Sequence, residues 1–384
     1  MAKMNKRTKG KPRSKFTKSD EAKRETTDQR LDDQPMHNDF AWYNKNPLLT
    51  EAVARVPFPY RPGMSINSVW GYTNNKRYIE GLPGVMALNW IPSIGYSGDV
   101  TSPASIAAKE LYANVRSKFS GSLEADAPDF MIYLLSLDSI FGYIGSLKRV
   151  YRILNAFTPQ NFLVPDSLLG ALLPFANNVG QVVEVLREEK TQFWAYINQL
   201  VGMTKKFVCP AVFDYFNRHY WMNDNVYLDD ASPNAQMYAF VQLAYYKYTV
   251  KEIETGIFAG TLEPIQLFQT QEQVNSTYFY DFGKALIDAL ANSEDGYIIS
   301  GYLQRAYEGA PTFGVDYLAE DEVFQPVYDV TVLQQIENSQ AAARETTLTD
   351  ANFLKLVAST AVTQVPKTNA LVSTPGYDSA LRRS

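Results

Sequence analysis

Ten basic side chains in the first 24 residues are the group best suited to binding chemistry in this sequence. Only Asp20 and Glu21 oppose them, so this segment carries a net charge of +8, whereas the whole chain carries −5. A chain of such charge binds polyphosphate with little sequence preference, because each neutralised phosphate releases counterions. The ten residues are Lys3, Lys6, Arg7, Lys9, Lys11, Arg13, Lys15, Lys18, Lys23 and Arg24.

Three other roles fit the same charge, namely a nuclear localisation signal, an anionic membrane surface and a solubilising tail. Residues 1–38 hold few large apolar side chains besides Phe16 and Leu31. Such a segment cannot bury enough apolar surface to offset the entropy of ordering. We therefore predict a disordered basic arm over residues 1–38, joined to an acidic body.

Two short stretches could carry covalent chemistry. Cys209 and His219 are ten residues apart in an aromatic sequence, where a buried thiol and a packed imidazole are the more common roles. Asn38 and Asp39 lie where the arm meets the body, and an Asn side chain can attack its own backbone. Cleavage of the arm there stays open as an alternative. We predict no enzymatic activity and no small-molecule substrate.

Metal and cofactor ligands are scarce in this sequence. The chain has two histidines and one cysteine, without CxxC or HExxH spacing, and no glycine-rich phosphate loop follows a predicted strand. Acidic residues at Asp224, Asp229, Asp230 and 320–322 are typical of solvated loops. We predict no metal and no cofactor. The single cysteine and the lack of an apolar leader favour a reducing compartment.

The predicted secondary structure is organised around a long apolar helix from Asp126 to Phe157. Asp126 can cap it, and Pro128 suits its first turn. Asp138 is the only ionisable residue between Phe130 and Leu147, so the helix should lie at the centre of the fold. A membrane span is the alternative reading. After Leu147, alternating basic and apolar residues predict that the helix emerges at a surface.

The rest of the chain predicts a mainly α protein with a minor β part (α+β). We expect a disordered arm at 1–38, a predominantly helical domain at 39–365 with an extended part at about 52–92, and a loose tail at 366–384. Ser102-Pro103 and Ser232-Pro233 predict helix starts. Predicted helices cover 102–119, 165–173, 178–203, 210–218, the stretch from 237 to Gly256, 278–292, 331–343 and 350–360.

Residues Pro83 to Phe157 resemble picobirnavirus capsid proteins. The resemblance is an extended pattern and includes Trp42-Tyr43 before it. Its parts are Pro83-Gly84-Val85-Met86, Ser93-Ile94-Gly95-Tyr96-Ser97, Ser102-Pro103, Ala127-Pro128-Asp129 and the aromatic helix that follows. It implies a mainly helical subunit that dimerises and closes into an icosahedral shell around double-stranded RNA, with a basic inner arm. The chain is short for that family, which implies a reduced or missing projecting domain.

Three hypotheses follow. The first is a viral coat subunit whose partners are itself, as a homodimer and a larger shell, and genomic RNA, found in the virion and, during assembly, in the host cytoplasm. The second is a nucleic-acid-binding protein that forms no shell. The third is a carboxylate-based hydrolase, for which no clustered acids stand out. An acidic, aromatic-rich body with 25 Tyr and 21 Phe suits the first, although the same rings could line a large core.

Overall fold

The structure is a computed structural model and describes residues 85–95, 97–156, 163–173, 179–228, 235, 237–267, 274–332, 361–365 and 367–373. Its helices are α1 (Pro103–Lys118), α2 (Ala127–Asn155), α3 (Leu163–Leu172), α4 (Val179–Glu188), α5 (Lys190–Thr204), α6 (Asp214–Asp224), α7 (Ser276–Ala291) and α8 (Glu294–Ala306). Its strands are β1 (Val85–Trp90), β2 (Tyr227–Leu228), β3 (Met237–Gln242), β4 (Tyr245–Glu254), β5 (Ile257–Ile265), β6 (Val327–Tyr328), β7 (Val362–Val365) and β8 (Ala370–Ser373). The predicted α+β class is confirmed.

Helix α2 lies at the centre of the fold, as predicted. The Asp126 backbone amide donates to the Asp129 carboxylate over 2.8 Å, which closes a capping box at its first turn. Nearly every side chain from Ala127 to Leu154 is buried, and α1, α5, α6, α7 and β4 pack around the helix. The prediction that α2 reaches a surface after Leu147 is wrong. Lys148 and Arg149 are both buried.

The predicted helix start at Ser102-Pro103 is confirmed by α1. Leu111 and Val115 of this helix are buried, whereas Ile106 is exposed. Helix α7 confirms the helix predicted at 278–292, and α3 the one at 165–173. The stretch predicted as one helix at 178–203 divides into α4 and α5 at Glu189. Helix α6 begins four residues later than the predicted helix at 210–218, and α8 was not predicted.

The helix predicted after Ser232-Pro233 is wrong, because this sequence forms β3 and β4. Strand β4 pairs with β5 in antiparallel register from Tyr245↔Ile265 to Glu254↔Ile257. Gly256, predicted to end a helix, has φ +76° in the turn that joins the two strands. Aromatic and β-branched residues are compatible with both a buried helix and a strand. Hydrogen bonding to the partner strand β5 stabilises the strand.

Two four-stranded sheets flank the helices. One has the order β1-β3-β2-β6, with β1 parallel to β3, and the other has the order β4-β5-β7-β8. Strand β1 confirms the end of the predicted extended part, and 52–84 lies outside the described residues. The loose-tail prediction is wrong for Ala370–Ser373, which form β8 with Leu371 fully buried against the core. The predicted helices at 331–343 and 350–360 lie almost entirely outside the described residues.

Candidate functional site

The residues predicted to bind RNA cannot be placed from the structure. The ten basic residues of the arm, from Lys3 to Arg24, lie outside the described residues, and so do Asn38 and Asp39 of the predicted cleavage region. Both remain predictions. The chemistry-bearing residues that the structure does describe meet along α2.

Asp138 of α2 and His219 of α6 form a buried pair. The His219 Nδ1 and Asp138 Oδ2 atoms are 2.8 Å apart, and the Asp138 side chain is only 3% exposed. The rings of Tyr215 and Trp90 contact the imidazole, with centroid distances of 4.0 and 4.8 Å. Burial raises the pKa of Asp138, and the neighbouring His219 opposes that shift only in part. The polar contact therefore links α2 to α6, and the Trp90 ring brings β1 against the imidazole.

A carboxylate that orients an imidazole is half of a catalytic triad, which also needs a nucleophile beside the second ring nitrogen. Among the described residues, no Ser, Thr or Cys side chain hydrogen-bonds the His219 ring. The Cys209 thiol is fully buried, and burial raises its pKa well above the usual range, with a smaller contribution from Asp138. A protonated thiol is a poor nucleophile. The packed roles predicted for Cys209 and His219 are confirmed.

Replacing Asp138 by asparagine is expected to change how stability depends on pH. Burial raises the folded-state pKa of Asp138 above the reference value of 3.8. Between pH 3.8 and the folded-state pKa, the folded protein therefore binds more protons than the unfolded chain. The contribution of Asp138 to stability is therefore greatest below pH 3.8 and is lost as the pH rises through the folded-state pKa. Asp138→Asn removes this loss while keeping an oxygen that can accept from His219.

Urea unfolding of both proteins from pH 4 to pH 7 measures this effect. The stability of Asp138→Asn relative to the unmodified chain should increase with pH over this window. The control is Asp214→Asn, because Asp214 is exposed on α6 and pairs with Arg218 there. Parallel pH curves for Asp138→Asn and the unmodified chain would contradict the assignment.

Arg149 is a buried residue whose role in the fold the sequence did not indicate. Its side chain is 3% exposed, and its Nη1 donates to the carbonyl oxygens of Met222 and Asn225, each over 3.1 Å. Its Nη2 donates to the Phe240 oxygen over 2.7 Å. Burial lowers the pKa of Arg149 to about 10, so the guanidinium remains charged at neutral pH. One side chain of α2 thus connects the end of α6 to strand β3.

The acidic residues considered as metal ligands have other partners or lie elsewhere. Asp224 forms an ion pair with Arg152, and Glu322 lies 3.9 Å from the Arg152 Nε. Asp229 and Asp230 are outside the described residues. In the part of the chain that the structure describes, no group of three or more His, Cys, Asp or Glu side chains could hold a metal ion.

A cavity of about 540 Å³ lies at the C-terminal ends of α5 and α8. The segment from Ala310 to Asp316 forms one wall, and the Lys205 amine donates to the Val315 oxygen over 2.6 Å. Its aromatic lining consists of Phe141, Phe207, Tyr307 and Phe313. Lys205, Glu308 and Asp316 also line it, so the wall of this cavity is about as polar as it is apolar.

The chain is similar to proteins of one known family. A family model described as "Picobirnavirus, Capsid protein" matches residues 42–382. The chain belongs to the picobirnavirus capsid protein family. A capsid protein precursor of Human picobirnavirus (strain Human/Thailand/Hy005102/-) is 30% identical over 312 residues, which are 79% of this chain and 54% of the relative. The chain therefore spans about half the length of this curated relative.

The fold also matches an X-ray crystallographic structure of the picobirnavirus capsid. The TM-score is 0.63 at 24% identity, covering 87% of this chain and 63% of the solved chain. This likeness shows the shared fold. Together with the family match, it confirms the resemblance predicted from residues Pro83 to Phe157.

Helix α2 is the one helix of the described part of the chain that is long and apolar enough to cross a membrane, with a mean hydropathy of 1.5 in its most apolar window. However, 89% of that window is buried inside the protein. A picobirnavirus capsid fold thus uses this apolar length to form the centre of its core, and the membrane-span reading is not supported.

Proposed function

We propose that this chain is a coat subunit that assembles, through dimers, into an icosahedral shell enclosing an RNA genome, with residues 1–38 facing the RNA. The family match over residues 42–382 carries this proposal, because it begins where the basic arm ends. The body beyond residue 24 has 26 basic and 39 acidic residues and a net charge of −13. The arm is therefore the part of the chain with the charge to attract a polyanion.

Self-association follows from what a capsid is, and the dimer is the proposed building unit. In the organisation that we propose, residues 1–38 form the RNA-binding arm and the shell domain begins at residue 39. The shell domain extends past residue 365, since β8 continues the second sheet to Ser373. We place the protein in the virion, and in the host cytoplasm during assembly.

Many weak arm contacts can act together inside a closed shell. Each arm is held near one enclosed polyanion, so its effective concentration is high and the combined affinity exceeds that of a single arm. Contacts to phosphate are independent of sequence and weaken with salt. Such contacts would package RNA through its charge. They would not distinguish the viral genome from other RNA.

Electron microscopy of the expressed protein, with the absorbance ratio of the same fraction at 260 and 280 nm, tests the proposal. Uniform closed particles with nucleic-acid absorbance are the expected result. A small species at every protein and salt concentration would contradict the shell and favour a nucleic-acid-binding protein that forms none. Closed particles without nucleic acid would contradict the role of the arm under those conditions.

A further inference from the structure

A second cavity, of about 40 Å³, lies against the C-terminal half of α2. Side chains from α2, the C-terminal end of α3, strands β3 and β4 and helix α7 line it. Its wall is mainly apolar and includes Leu147, Val150, Leu172 and Val241, each at most 7% exposed. About 10 to 15 Å³ is enough to hold one water molecule. The cavity therefore has room for a small guest inside the protein.

Arg149 is the charged side chain among the described residues that line this cavity. Its Nη1 and Nη2 atoms donate to three carbonyl oxygens, whereas its Nε is buried and has no hydrogen-bond partner. Buried N–H groups in folded proteins nearly always have an acceptor. The unpaired Nε of Arg149 thus indicates a guest that accepts a hydrogen bond.

The charge of Arg149 indicates what kind of guest this is. The guanidinium is charged at neutral pH, and its three acceptors are all carbonyl oxygens. Asp224 is the carboxylate that acts on it most strongly, but Asp224 forms its ion pair with Arg152. Buried charges are usually paired. A water molecule would satisfy only the Nε hydrogen, whereas an anion would also compensate the buried charge.

Gln242 supplies a second donor in the wall of the cavity. Its Oε1 accepts from Asn223 over 2.8 Å, and its Nε2 donates to the Ala244 oxygen over 2.9 Å. An amide nitrogen carries two hydrogens, so one more can be donated to a guest. Among the described lining residues there is no Asp or Glu to repel an anion. The apolar wall favours an anion that is easily dehydrated, and therefore a monovalent halide over sulfate or phosphate.

We propose that this cavity binds one monovalent anion of the size of chloride, held by the Nε hydrogen of Arg149 and the Gln242 amide. Every residue of the site belongs to one chain, so the site does not depend on the coat function. The anion would stabilise the charged form of the side chain that connects α2 to α6 and β3. A ligand that binds only the folded state increases stability by mass action.

Urea unfolding of dilute, unassembled protein at constant ionic strength tests the site. Sodium gluconate is replaced stepwise by sodium chloride, because gluconate is too large for the cavity. For a single site, the unfolding equilibrium constant should fall about tenfold for each tenfold rise in chloride above the Kd. Sodium bromide should have the same effect. An unfolding constant that does not depend on chloride would overturn the proposal.

Val241→Ile separates binding in the cavity from general effects of salt. The added methyl group occupies part of the 40 Å³ while Arg149 is kept, so the variant should fold and lose most of its response to chloride. The matched control is Val115→Ile, which adds the same group at a buried position of α1 away from the cavity. An equal dependence on chloride in the two variants would contradict the assignment of the site.

Anomalous diffraction from crystals of the full chain grown in sodium bromide shows the guest directly, and it does not rely on any variant. A bromide peak within hydrogen-bond distance of the Arg149 Nε is the expected result. A water molecule at this position without anomalous signal, or an empty cavity, would overturn the anion site. Either of these results would leave the proposed coat function standing.

Discussion

Arg149→Met is expected to lower the free energy of unfolding by about 1 to 3 kcal/mol, the range for leaving a buried hydrogen-bonding group without its partner. The guanidinium satisfies the carbonyl oxygens of Met222, Asn225 and Phe240. Methionine fills a similar length but donates nothing, so three buried acceptors lose a donor. Relief of the cost of burying a charge offsets only part of this loss.

Urea unfolding of dilute, unassembled protein, followed by tryptophan fluorescence, measures the effect. The matched control is Arg218→Met on α6, because Arg218 is 64% exposed and pairs with Asp214 at the surface. Its stability should change by about 0.5 kcal/mol or less. Similar unfolding midpoints for the two variants would show that the buried guanidinium does not hold α6 and β3 together.

Deleting residues 2–24 is expected to remove most packaged RNA while leaving assembly of the shell largely intact. The deletion takes away all ten arm lysines and arginines. In proteins that make six to ten phosphate contacts, the affinity for nucleic acid falls by a factor of roughly 10³ to 10⁵ between 50 and 200 mM salt. Contacts of this kind therefore supply a large part of the binding, and the deletion removes the side chains that make them. The ratio of absorbance at 260 and 280 nm in purified particles, measured across this salt range, gives the RNA content.

A variant with the same arm composition in scrambled order is the control for the deletion. Because counterion release depends on charge and not on sequence, the scrambled arm should retain the RNA content and the salt dependence of the unmodified chain. Shells that fill equally with RNA after the deletion would contradict the assignment of the arm. Loss of RNA in the scrambled variant would show that the arm reads sequence or structure instead.

The arrangement of Arg149 and the β4–β5 hairpin shows where sequence reasoning fails in this fold. The basic and apolar residues after Leu147 have the spacing of a two-faced surface helix. The burial of Arg149 depends on carbonyl oxygens supplied from 73 to 91 positions away along the chain. Similarly, β4 is aromatic enough to form a helix or a strand, and pairing with β5 stabilises the strand. Neither partner can be identified from the local pattern.

Features that depend on local chemistry could be predicted from the amino-acid sequence. The cap at Asp126 and the apolar run after it predict α2, and the Ser102-Pro103 start predicts α1, because capping and side-chain burial act within a few turns. The pattern from Pro83 to Phe157 also indicated the family. Three features became visible only in the folded chain: the pairing of Asp138 with His219, the burial of Arg149 and the exposure of Phe258. These depend on which distant segments meet, and packing free energy selects that arrangement over the whole chain.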